Sequence, residues 1–155
     1  MNFQKILVAI GVTTRTSPIL ERAITLAKNE GAALMLFHCH EPQTMAEYED
    51  HIVTLTELDV SRSQRSYERC VNGEIGRLRS WLEELCDQAK KEGVAARSLV
   101  EEGKPGPRIV EHANHWGADL IMLGRTQRGS FADVLLGTVS DYVIHHASCS
   151  LLLVQ

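Results

Sequence analysis

The chain has 155 residues, a formal net charge of −4 and a hydrophobic fraction of 44%. That length suits a single domain with a core of its own, needing neither metals nor disulfides to fold. The acidic balance argues against a nucleic-acid binder, which carries a basic excess, and no apolar run approaches the roughly 20 residues of a membrane helix.

The start of the chain lacks the cleavage pattern of a signal peptide and leads directly into a strand-like run, so the expected location is the cytoplasm. Cys39, Cys70, Cys86 and Cys149 form no CxxC pair and read as reduced, mostly buried thiols.

Lys5 to Ile10 is a continuous apolar run closed by Gly11, as expected of a strand buried on both faces. Ser17-Pro18 then reads as an N-cap followed by proline at the first helical position. Leu20, Ala23, Ile24 and Ala27 keep helical spacing up to a stop at Asn29-Glu30-Gly31. Ala33 to Cys39 is the second strand, completing a βαβ unit with a right-handed crossover. Between residues 41 and 73 the pattern weakens into a long, variable connection; Ser61 to Cys70 reads as helical, and Asn72-Gly73 reads as its interruption.

Glu74 to Glu92 is the clearest helix, with Ile75, Leu78, Leu82, Leu85 and Ala89 on one stripe and Gly93 as its stop. Val94 to Val100 is a more polar strand, suited to a sheet edge. Glu101 to Pro107 reads as a tight loop, followed by a helix through Ile109, Val110 and Ala113 that stops at Gly117. Leu120 to Leu123 is the fourth strand, the segment to about His146 ends in a helix, and Leu151 to Val154 closes the chain as the fifth strand. Five strands alternating with about four helices predict an α/β fold: a doubly wound, Rossmann-like parallel sheet in one domain spanning residues 1–155.

In such sheets ligands lie beyond the carboxyl ends of the strands, where the strand order reverses. With the first strand central, three segments converge there: Ile10 to Thr13 as a floor, Cys39-His40 as an adenine-side wall, and Gly124 to Ser140 as a phosphate cradle. Glycine allows close backbone approach to an anion, and a helix start offers unpaired N–H groups and a favourable dipole. The segment is neither a P-loop nor a GxGxxG fingerprint. On spacing alone, the glycines serve equally well as turn and packing residues.

Gly124, Gly137, Thr138 and Val139, followed by an apolar strand, resemble the nucleotide loop of the universal stress protein family, whose pattern is Gly-x2-Gly-x9-Gly-Ser/Thr. Lys5 to Ala9, Ala118 to Gly124, and Gly103 with its proline-containing turn are also similar to that family. The resemblance implies a five-stranded parallel sheet of the adenine-nucleotide α-hydrolase-like kind and a homodimer joined through Leu151 to Val154. It also implies binding of an adenine nucleotide (ATP, AMP or a cyclic nucleotide), with Mg carried on its phosphates.

The nucleotide-binding positions implied are Ala9, Gly11, Cys39, Leu123, Gly124, Gln127, Gly129, Gly137, Thr138 and Val139, with Arg125 and Arg128 as phosphate contacts. The chain departs from the pattern twice. Gln127 stands where the family has its second loop glycine, with Gly129 two positions late. Gly11 stands where ATP-binding members carry an aspartate toward the ribose, which removes charge-assisted hydrogen bonds of roughly 1.5–3 kcal/mol each. These departures leave an alternative, a dimeric interaction module of the same fold that binds no nucleotide.

Other residues read more plainly. His38 and His40 share one strand face and Cys39 the other, without further ligands to complete a metal site. His112 and His115 lie three apart on a helix and read as solvated. His145 and His146 suit a helix C-terminus. Asp133 and Asp141 are candidate metal partners through a bound nucleotide. No Ser/His/Asp arrangement or carboxylate pair is evident, so the expectation is a protein that is not an enzyme, with slow nucleotide hydrolysis at most.

Overall fold

The computed structural model describes residues 2–12, 16–42, 60–124 and 137–154. In chain order the elements are β1 (Lys5–Ala9), α1 (Thr16–Glu30), β2 (Ala33–His40), α2 (Val60–Lys91), β3 (Ala96–Glu102), α3 (Pro105–Trp116), β4 (Leu120–Gly124), α4 (Thr138–His146) and β5 (Ser150–Val154). The five strands form one parallel sheet in the order β3-β2-β1-β4-β5. β1 is therefore central, and the strand order reverses between β1 and β4. This is the doubly wound arrangement expected from the alternating pattern.

The apolar runs explain the layering. Successive side chains in a strand point to opposite faces, so Ile6, Val8, Leu34 and Leu36 pack with Ile19 and Ala23 of α1 and Leu82 and Ala89 of α2. Leu7, Met35, Phe37 and Ile121 pack on the other face with Ile109 and Ala113 of α3 and Val143 of α4. Strands buried on both faces need no polar alternation, which is why β1 after Lys5, β2 as far as Phe37, and β4 are apolar. β3 lies at one edge, as its polarity predicts, and β5 at the other. Leu152 and Leu153 of β5 are 40% and 42% exposed.

Two helix ends show the local logic. α3 opens with Pro105, whose missing N–H costs nothing in a first turn. It ends at Gly117 in the left-handed conformation (φ 70°), with the cap amide bonded to carbonyls of the last turn.

Three boundaries differ from the sequence expectation. Asn72-Gly73 does not interrupt a helix: α2 runs unbroken for 32 residues. Beyond the local helix backbone, neither Gly73 nor Gly76 has an atom within 4 Å of where a Cβ would stand, and both are exposed. Glycine in a helix costs about 1 kcal/mol relative to alanine. That is too little to break a proline-free segment whose C-terminal half is anchored by the buried Ile75, Leu78, Leu82 and Ala89.

Glu101 and Glu102 are not loop residues but the end of β3. The β2–β3 register continues to His40↔Glu102, and the Gly103 amide donates to the His40 carbonyl at 3.0 Å. The connection to α3 is thus only Gly103-Lys104. α1 begins at Thr16, two residues before Pro18, which places the proline within the first turn rather than at its first position. Residues 43–59 of the long connection lie outside the described residues.

Candidate functional site

The β1/β4 reversal places Gly11 and Val12, Gly124 and the start of α4 at one end of the sheet. β1 and β4 stay in register to Ala9↔Leu123. Gly137 is the N-cap of α4; it offers no side-chain cap, and the first intrahelical bond runs from the Asp141 amide to the Gly137 carbonyl at 2.9 Å. The amides of Thr138, Val139 and Ser140 precede that bond and have no partner within the helix. Together with the helix dipole they form a donor set suited to an anion. Gly137 sits at φ −60° and ψ 156°, which any residue can adopt, so its lack of a side chain matters for space rather than for backbone strain.

The expected site residues divide by what each can present. Gly11, Gly124, Gly137 and Thr138 lie at or near the surface around the reversal. Ala9 and Val139 are half-buried against the α3/α4 face. Leu123 is 2% exposed, so its side chain belongs to the core and only its backbone borders the site. Arg125, Gln127, Arg128, Gly129 and Asp133 lie outside the described residues.

Cys39 closes β2 on the α3/α4 face, where its thiol donates to the Gly103 carbonyl at 3.1 Å. Burial pushes the thiol pKa up to about 11, partly offset by the nearby Arg108. A thiol so held is protonated near neutral pH and a poor nucleophile. The cysteines are free, as expected, but they are not mostly buried: Cys86 is buried, Cys39 and Cys149 are half-buried, and Cys70 on α2 is exposed.

His38 and His40 face α2, opposite Cys39, as the strand alternation predicts. The His38 ring is 6% exposed, meets the Trp81 indole edge-on at 5.8 Å, and lies 2.7 Å through Nδ1 from the Ile10 carbonyl oxygen. A carbonyl only accepts, so Nδ1 carries the proton. Burial lowers the His38 pKa, the Ile10 hydrogen bond opposes that, and His40 adds to the lowering. The ring is thus the neutral Nδ1–H tautomer near neutral pH. His40 lies 3.7 Å from Glu74. Sequence reasoning placed His38 on the correct face but not its bond to Ile10. A backbone acceptor 28 residues away leaves no mark in spacing.

His112, His145 and His146 have local partners. His112 sits against Phe37 and 3.5 Å from Glu101, apart from the exposed His115. His146 stacks on Tyr142 at 4.0 Å, and its Nδ1 is 2.8 Å from the Tyr142 carbonyl. Asp141 lies 3.6 Å from His145. Among the described residues no three His, Cys, Asp or Glu side chains gather as a metal site.

The family model of the universal stress proteins matches residues 2–155. The chain belongs to the universal stress protein family. It is 36% identical over 157 aligned positions to the universal stress protein Sll1388 of Synechocystis, covering 100% of this chain and 99% of that one. Among solved structures it is similar to a universal stress protein in complex with cAMP (21% identity, TM-score 0.68, 100% and 98% of the two chains covered). It is also similar to the universal stress protein of Archaeoglobus fulgidus in complex with dAMP (17% identity, TM-score 0.60, 100% of both chains covered). At these identities the two structures support the fold, and the whole-chain family match supports membership.

Proposed function

We propose that this protein is a stress-response regulator that binds an adenine nucleotide across the carboxyl ends of β1 and β4. The observation that carries this reading is the reversal of strand order at β1/β4, with the uncapped start of α4 beside it. Phosphate would lie against the amides of Thr138 and Val139, with Gly124 and Gly137 allowing close approach. Gly129, Gln127, Arg125 and Arg128 would complete the cradle, while Ala9, Gly11, Cys39 and the Leu123 backbone would border the nucleoside. The complexes of family neighbours with cAMP and dAMP favour a ligand of this class.

A nucleoside monophosphate or cyclic nucleotide suits this chain as well as ATP. With Gly11 closing β1, no carboxylate reaches the ribose from that position, and Gln127 places a side chain where the family pattern has glycine. The same two residues favour the second reading, an interaction module without nucleotide. In both readings the exposed Leu152 and Leu153 on the β5 edge would be covered by a second copy of the chain, since an open apolar edge strand invites pairing. The protein would act through binding rather than catalysis.

The test is to denature the purified protein and identify released nucleotide by mass spectrometry, alongside melting-temperature shifts with ATP, AMP and cAMP. Bound or stabilising nucleotide supports the first reading. An empty protein whose melting temperature does not move with any of them supports the second.

A further inference from the structure

The end of β1 is held in an unusual way for a strand terminus. The β1–β2 register runs to Ala9↔Phe37, and the Ile10 amide adds a rung to the Phe37 carbonyl at 2.8 Å. The Ile10 carbonyl is then taken by a side chain, the buried imidazole of His38, at 2.7 Å. Both backbone groups of Ile10 are thereby tied to β2. The peptide joining Ile10 to Gly11 is planar and trans, so its N–H points opposite to its carbonyl. With the carbonyl on the β2 side, the Gly11 N–H is turned toward β4 and the reversal. Gly11 has no side chain with which to bind, so its amide is the hydrogen-bond donor that this position offers a ligand.

We propose that His38 is a positioning residue of the nucleotide site: its Nδ1–H holds the Ile10 carbonyl and so aims the Gly11 amide into the β1/β4 crevice. The inference rests on the nucleotide reading above for its ligand, but its geometric part is independent of it. The imidazole is itself fixed. It is buried, its ring meets Trp81 of α2, and His40 and Glu74 pair beside it on the same face. Asparagine at this position would carry an N–H near Nδ1 and preserve the bond. Glutamine would place its amide farther out, near Nε2, and leave the Ile10 carbonyl without its donor.

The experiment compares wild type, His38→Asn and His38→Gln by calorimetric titration with AMP and cAMP, and by nitrogen and amide NMR. The wild-type imidazole is expected as the Nδ1–H tautomer. The Gly11 amide resonance should shift in His38→Gln and stay in place in His38→Asn. Nucleotide affinity should fall on the order of five- to tenfold in His38→Gln, as expected for losing one ordered hydrogen bond, and remain within about twofold in His38→Asn.

An Nε2–H tautomer, or an unmoved Gly11 amide in His38→Gln, would overturn the proposal. So would equal affinity in all three folded proteins, even if His38→Gln is less stable. If wild type binds neither nucleotide, the nucleotide reading fails while the tautomer and the Gly11 amide still decide the positioning role. If neither variant folds, the wild-type tautomer decides: Nδ1–H supports the proposal and Nε2–H overturns it.

Discussion

The unbroken course of α2 through Asn72-Gly73 makes a quantitative prediction. Gly73 and Gly76 are exposed helical positions with open space where a Cβ would stand. Replacing a helical glycine by alanine gains about 0.8–1 kcal/mol, through lower chain entropy in the unfolded state and better helix propensity. Gly76 lies beside the buried Ile75 and Leu78, so its helix is held by packing and the full gain is expected. Gly73 lies at the end of the N-terminal half, whose described residues are mostly exposed and where opening without global unfolding would remove part of the gain.

Gly76→Ala should therefore add about 1 kcal/mol, and Gly73→Ala somewhat less. At roughly 2–4 °C per kcal/mol for a domain of this size, the pair should raise the melting temperature by about 3–7 °C. Gly106→Ala is the control in the opposite direction. A Cβ there would stand 2.9 Å from Cβ, Cγ and Cδ1 of Tyr142, so α3 and α4 would have to part. Overpacking of this kind costs about 1–3 kcal/mol. Urea unfolding followed by circular dichroism reads all three. A loss of stability in Gly73→Ala with a gain in Gly76→Ala would refute the continuous helix and restore a turn at Asn72-Gly73.

Three further outcomes are expected. Leu153→Lys, alone or with Leu152→Lys, should convert a dimer to a monomer in light scattering while leaving the far-ultraviolet spectrum unchanged; a monomeric wild type would remove the edge-strand interface. Gly11→Asp should tighten nucleotide binding by supplying a carboxylate to the ribose, and unchanged affinity would place the ribose elsewhere. The third concerns pH. The folded-state pKa of His38 lies below its ordinary value of 6.5 because of burial. The unfolded chain therefore binds more protons below that pH, so this contribution to stability is present above 6.5 and is lost as pH falls toward the folded-state pKa. Unfolding free energy should fall more steeply from pH 7.5 to 5.5 in wild type than in His38→Asn, and parallel curves would contradict a buried neutral imidazole.

The sheet was legible in the sequence because burial on both faces leaves a strong mark. Lys5 to Ile10, Ala33 to Cys39 and Leu120 to Leu123 are apolar runs too short for helices, and each became a strand. The helix from Glu74 onward was legible from its stripe, but its N-terminal extension was not. An exposed helix carries no apolar period, and a single Asn-Gly pair then weighs more than it should. The extra length of β3 was hidden because Glu101 and Glu102 are polar, and it is pairing with Cys39 and His40 that holds their backbone in the sheet.

Of the candidate site, the placing of the β1 and β4 carboxyl ends side by side followed from strand order. The His38–Ile10 bond is a tertiary fact that no local pattern carries.

Calorimetric titration of wild type and Gly137→Val with ATP, AMP and cAMP tests the central claim most directly. Gly137 has an ordinary extended backbone, so valine should leave the fold intact at a cost of about 1 kcal/mol in N-cap preference, while its branched side chain blocks the start of α4. The account predicts binding of at least one of these nucleotides by wild type and no measurable binding by the variant. Equal affinity in both proteins, or no binding by either, would contradict it.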